Sequence, residues 1–156
     1  MALSVGEKAP DFSLPVSGSP EERVTLSDTE GYTFVLLFFP MAFTPVCSDE
    51  ACQISEQLND YRKLNAEVLG VSVDSPFTLD AWKQKENFKL PLLSDFNREA
   101  IYDYDVARDE LMGLKEVANR AAFVIDENGM ITYSWESEDP ATLPPFDEIL
   151  KVVEQS

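Results

Sequence analysis

The 156-residue chain contains no histidine and only two cysteines, Cys47 and Cys52. Without an imidazole a Cys–His protease has no general base, and a zinc site of the Cys/His kind has no nitrogen ligand. Two cysteines alone do not close a structural zinc site. They are separated by four residues, not by the two of a Cys-x-x-Cys disulfide oxidoreductase. Basic side chains are scarce too: 12 Lys and Arg stand against 29 Asp and Glu, a formal net charge of −17. That charge opposes phosphate backbones and anionic lipid, so neither nucleic acid nor a membrane is expected as a partner. It fits a halophilic source, where the Debye length is about 3 Å at 1 M salt and self-repulsion is screened. No apolar run approaches the ~20 residues of a membrane span; the longest, 34–43, is interrupted by Pro40. Residues 1–7 carry neither a basic start nor an apolar core, which predicts no signal peptide and a cytoplasmic protein.

What is present reads as one α/β domain over residues 1–156, long enough to bury roughly 70% of its unfolded surface. Residues 33–39 and 67–73 are apolar, β-branched or aromatic runs of strand length. A helical stretch over about 45–64 lies between them, and together they make a βαβ unit. Further helices are predicted over 78–86, briefly over 97–102, and after Pro144-Pro145, where Ile149, Leu150, Val152 and Val153 mark the apolar face. Strands over 121–125 and 131–135 flank Asp126-Glu127-Asn128-Gly129, a hairpin signal. The acidic, Pro-rich stretch 136–145 reads as a loop.

The most informative stretch is Pro40-Met41-Ala42-Phe43-Thr44-Pro45-Val46-Cys47, which places a thiol where a buried strand gives way to a helix. Helix N-termini carry partial positive charge and unpaired N–H groups, which favour the thiolate, the nucleophilic form. Cys47, Ala51, Ile54, Leu58 and Tyr61 recur at three-and-four spacing, so Cys47 opens an apolar stripe. Cys52 aligns with Ser55, Glu56 and Asn59 and should be the more accessible sulfur. On an intact helix, residues five apart have Cα atoms about 8.6 Å from each other, beyond the ~7 Å limit for a disulfide. A Cys47–Cys52 bond therefore requires local unwinding. Each residue also has a plainer reading: Cys47 as a small buried hydrophobe, Cys52 as an idle surface thiol, Thr44 as an N-cap before Pro45, Pro40 as a strand terminator, Glu50 as a dipole-favouring acid, and Arg120 as a solvated strand-end charge.

The run from Pro40 to Cys47, with Thr44 three residues and Pro40 seven residues before the cysteine, resembles the peroxidatic motif of the peroxiredoxins. Pro10-Asp11-Phe12-Ser13-Leu14 resembles that family's N-terminal hairpin, Val71-Ser72-Val73-Asp74-Ser75 and Pro91-Leu92-Leu93-Ser94-Asp95 its central segments, and Arg120-Ala121-Ala122-Phe123-Val124-Ile125-Asp126 its arginine-bearing strand. The fold this implies is a thioredoxin-like α/β sandwich: a central mixed sheet flanked by helices, with an added N-terminal hairpin. The activity it implies is thiol-dependent reduction of hydrogen peroxide and organic hydroperoxides through a Cys47 sulfenic acid. Arg120 would stabilise charge moving onto the peroxide oxygens, Thr44 would orient the peroxide, and Pro40 would keep water from the thiolate.

In the bacterioferritin-comigratory-protein (peroxiredoxin Q) branch a resolving cysteine lies five positions on, where this chain has Cys52. Close relatives also carry an acid at the position of Glu50. The resemblance further implies no cofactor, thioredoxin or a glutaredoxin-like protein as dithiol reductant, and a monomer or a homodimer built through loops near Phe43 and Trp82. Two other readings stay open: a one-cysteine peroxiredoxin using an external thiol, and a redox-responsive binding protein or holdase that exposes Phe43, Ile54 and Leu58 on unwinding.

Overall fold

The computed structural model describes residues 2–29 and 31–156. Met1, part of the leader reading, lies outside the described residues. A hairpin of β1 (Ser13–Val16) and β2 (Ser19–Thr25) is followed by a short 3-10 turn, Leu26–Thr29, and by β3 (Thr33–Phe38). Then come α1 (Pro45–Lys63), β4 (Ala66–Ser72), α2 (Pro76–Glu86), β5 (Leu92–Ser94) and α3 (Ala100–Asp103). The chain closes with β6 (Ala107–Leu111), β7 (Leu114–Ala118), β8 (Arg120–Ile125), β9 (Ile131–Ser137) and α4 (Phe146–Glu154).

Seven strands form one mixed sheet in the order β2-β1-β5-β4-β3-β8-β9, and β6 with β7 makes a separate hairpin. β3 pairs in parallel with β4 and antiparallel with β8. All six residues of β3 are buried, as a central strand covered on both faces requires. Alternate side chains therefore feed two different cores. Phe34, Leu36 and Phe38 join Phe12, Tyr104 and Phe123 on one face. Val35, Leu37 and Phe39 join the buried stripe of α1 together with Trp82, Phe146 and Ile149 on the other. Gly70 of β4 allows the second face to close: a Cβ there would meet side-chain carbons of Leu92 and Leu90 at 3.0 and 3.1 Å.

This is the thioredoxin-like architecture expected from the sequence, with two adjustments. The N-terminal hairpin extends the main sheet, because Val16 pairs with Leu93 of β5. The β6–β7 hairpin was not anticipated. Its two-residue turn, Met112-Gly113, has both residues at positive φ (54° and 80°), a conformation usually announced by Asn-Gly or Asp-Gly. Met at the first position hides the signal. The 126–129 hairpin has its expected form, with Gly129 at φ 81° and the Asp126 carboxylate accepting from the amides of Asn128 and Met130 at 2.9 Å. β9 runs on to Ser137, so the acidic loop begins later than its composition suggests.

Candidate active site

β3 ends at Phe38, and residues 39–44 carry the chain from the sheet to α1. Pro40 is buried and follows the last strand residues, where a missing backbone donor does least harm. The turn is pinned from β4: the Ala42 amide donates to Asp74 Oδ2 at 2.8 Å, and Ser72 Oγ donates to the same oxygen at 2.7 Å. Phe43 takes φ 66°, an unusual conformation for a bulky residue. Its exposed ring lies 5.7 Å from Lys85 Nζ.

Thr44 is the N-cap of α1 and Pro45 occupies its first turn, yet the Thr44 side chain bonds no helix amide. Its hydroxyl donates instead to the Met41 carbonyl at 2.9 Å, which leaves the oxygen lone pairs free to accept. The Ser48 amide reaches back to the Thr44 carbonyl at 2.9 Å. The amides of Val46 and Cys47 precede that first helical bond and have no intrahelical partner.

Cys47 is 2% exposed and Cys52 only partly buried, with both thiols free. The expected contrast between the two sulfurs is thus present on one continuous helix. Cys52 faces α2, and its thiol is pushed up by burial and by the negative charges of Glu86, Asp49 and Glu56.

Arg120 is not the solvated charge that its strand-end position suggests. It is 1% exposed and donates from Nη2 to Cys47 Sγ at 3.1 Å. The antiparallel register Phe38↔Ala121 sets the start of β8 beside the end of β3, bringing together residues 73 apart in sequence. Nη1 pairs with Glu50 Oε2, while Nε and Nη2 both donate to the Pro140 carbonyl, at 3.2 and 2.9 Å. Burial works against the guanidinium charge, but Glu50 and Cys47 outweigh it and hold the Arg120 pKa above its ordinary value.

Glu50 is 2% exposed, so it does more than favour the helix dipole. Burial raises its pKa to about 7 against the opposing pull of Arg120, and its Oε1 has no hydrogen-bond partner. The sequence carried a signal for it: Glu50 lies three residues after Cys47 and four before Ile54, on the buried stripe, where a carboxylate requires a cation.

Pro40, Met41, Thr44, Val46, Cys47 and Arg120 line a cavity of about 160 Å³, together with Leu111 and Met112 of the β6–β7 hairpin and Pro140 and Ala141 of the acidic loop. The last four residues escaped sequence reading because neither contributing segment shows a buried pattern. A larger cleft of about 580 Å³ lies toward the opposite end of β3, lined by Lys8, Thr29, Tyr32 and the 126–129 turn. It is lined by no thiol and no buried cation, which makes the smaller cavity the candidate site. Trp82 is fully buried. Phe43 and Phe77, by contrast, are exposed. Among the described residues no helix is long and apolar enough to cross a membrane.

A thiol at a helix start, bonded to a buried guanidinium and opening onto a small cavity beyond the carboxyl end of a central strand, defines a cysteine-based peroxidase on a thioredoxin-like fold. The chain belongs to the AhpC/TSA family, whose model matches residues 5–134. It is 35% identical over 160 residues to the mitochondrial thioredoxin-dependent peroxide reductase of Drosophila melanogaster, covering 97% of this chain and 66% of that protein. It is 38% identical over 159 residues to peroxiredoxin-2 of Macaca fascicularis, covering 96% and 77%. Among solved structures, a cysteine-to-serine mutant of PrxQ from Xylella fastidiosa superposes with a TM-score of 0.87 at 28% identity, over 99% of this chain and 98% of that one. This likeness supports the peroxiredoxin Q branch.

Proposed function

We propose that Cys47 reduces hydroperoxides and that Cys52 resolves the product as an intramolecular disulfide. The Arg120–Cys47 hydrogen bond inside the small cavity carries this reading. Cys47 thiolate attacks the terminal oxygen of the hydroperoxide. The S–O bond forms as the O–O bond breaks, the alkoxide or hydroxide leaves and takes up a proton, and Cys47 becomes a sulfenic acid. Arg120 hydrogen-bonds the sulfur and stabilises charge moving onto the departing oxygen. The Thr44 oxygen, whose O–H donates to the Met41 carbonyl, accepts the peroxide O–H. The open amides of Val46 and Cys47 donate to the peroxide oxygens, and buried Pro40 shields the sulfur from water. Cys52 then displaces the sulfenic hydroxyl as water. A dithiol reductant of the thioredoxin kind returns both cysteines to thiols, and sulfur carries the redox chemistry without a cofactor.

Cys47→Ser removes the nucleophile and should retain less than a few per cent of peroxide reduction. Cys52→Ser should consume one equivalent and stop at a sulfenic acid trapped by dimedone, read as intact mass. Catalytic turnover by Cys47→Ser would overturn the assignment. Cys52 left unmodified throughout wild-type turnover would replace the two-cysteine route with one using an external thiol.

A further inference from the structure

The helix around the two cysteines is tied at Ser48 and at Ser55 to α2 and to the segment that follows α2. Trp82 of α2 donates its indole N–H to Ser48 Oγ at 3.0 Å. Its ring is held by Phe39 and Phe88, with centroids at 5.3 and 4.8 Å. Farther along α1, Ser55 Oγ accepts from the amides of Lys89 and Leu90 at 3.1 and 2.9 Å. Ser48, Cys52 and Ser55 follow four-and-three spacing and share one helix face, the face turned to α2. Ser48 lies inside the stretch that must unwind before Cys47 reaches Cys52. Ser55 lies beyond it.

We propose that the Ser48–Trp82 hydrogen bond is the brake on disulfide formation, with Ser55 as the stop that confines the unwinding. Ser48 and Trp82 are then positioning residues that set how long the Cys47 sulfenic acid waits for Cys52. The inference rests on Cys52 being the resolving cysteine. Two reactions compete for the waiting sulfenic acid. Cys52 can form the S–S bond while the S–O bond breaks and water leaves with the Cys52 proton. A second hydroperoxide can instead transfer its terminal oxygen to the sulfur, leaving an alcohol or water and a Cys47 sulfinic acid. A tighter brake lengthens the wait and favours the sulfinic acid.

The test is rapid quench and mass spectrometry after hydrogen peroxide, at one equivalent and in excess, on wild type, Ser48→Ala, Ser48→Thr and Trp82→Phe. Ser48→Ala removes the acceptor and leaves a buried indole N–H unpaired in the folded helix only. Disulfide formation should accelerate roughly fivefold, the equivalent of one ordinary hydrogen bond. The sulfinic fraction in excess peroxide should fall, while formation of the sulfenic acid keeps its wild-type rate. Ser48→Thr keeps the hydroxyl and should match wild type, and Trp82→Phe, lacking the donor, should shift in the direction of Ser48→Ala. A Cys47–Cys52 bond forming at the same rate in wild type and Ser48→Ala overturns the brake and leaves the two-cysteine reading standing. A change confined to sulfenic acid formation also overturns it. Absence of the Cys47–Cys52 bond in wild type overturns both.

Discussion

At the residue scale, Cys47, Arg120 and Glu50 form a buried, mutually bonded triad, whose electrostatics make two predictions. Arg120→Met keeps much of the side-chain volume but removes a charge-assisted hydrogen bond from the sulfur, an interaction of about 1.5–3 kcal/mol. Stopped-flow oxidation of Cys47 should slow by roughly ten- to a hundredfold, and an unchanged rate would reduce Arg120 to packing. The second concerns Glu50, whose pKa rises from 4.5 to about 7 on folding. Between those values the folded state holds a proton that the unfolded state has lost. Rising pH therefore removes stability across this window, about 3 kcal/mol in all, and the contribution is flat above it. Glu50→Gln abolishes this slope. Urea unfolding at pH 5 and pH 8 should show wild type losing ground to the variant, and parallel behaviour of the two proteins would sink the idea.

At the scale of elements, α1 must be stable enough to hold Cys47 against Arg120 and yet open to let Cys52 in. Its stripe of Cys47, Ala51, Ile54, Leu58 and Tyr61 is buried, and full burial of Ile54 and Leu58 alone contributes about 1.5–3 kcal/mol each. With an opening that ends before Ser55, Ile54 borders the unwound stretch and Leu58 lies beyond it. Closing so short a loop with a disulfide stabilises by about 2 kcal/mol on the chain-entropy model. Against this stand the Arg120–Cys47 bond, at about 1.5–3 kcal/mol, and the Trp82–Ser48 bond and several helical bonds, at about 1 kcal/mol each. The oxidised protein should therefore be no more stable than the reduced one, or only marginally so. Far-ultraviolet circular dichroism should show lost helix, and amide exchange should quicken from Val46 to just before Ser55. A fully helical oxidised form would contradict this account.

For the whole molecule, a charge of −17 on 156 residues makes self-repulsion a property of the folded surface. Raising salt from about 0.01 M to about 1 M shortens the Debye length from about 30 Å to about 3 Å. The melting temperature of the reduced protein should rise over that range, measured by calorimetry in sodium chloride. The buried Arg120–Glu50 pair is screened little, so Glu50→Gln should leave the salt increment intact. A flat or falling melting temperature would show that repulsion is a minor term.

The sequence by itself singled out Cys47 as the candidate nucleophile, the βαβ unit around it and the need for the helix to unwind before Cys47 and Cys52 can bond. These rest on local rules: an apolar run, a proline at a helix start, and the spacing of Cys47 and Cys52 along one helix. The roles of Thr44 and Pro40 were legible only through the family motif. Tertiary structure decided the rest. Arg120 entered only through the family's arginine-bearing strand, its position alone suggesting a solvated charge, and its contacts with Cys47 and Glu50 follow from the antiparallel pairing of β8 with β3, because strand register, not sequence proximity, sets which residues meet. Likewise the Pro140 carbonyl, the Asp74 clasp and the Leu111–Met112 rim come from distant segments that carry no buried periodicity. Backbone carbonyls and turn geometry are independent of side-chain pattern, so only the folded chain shows where they point.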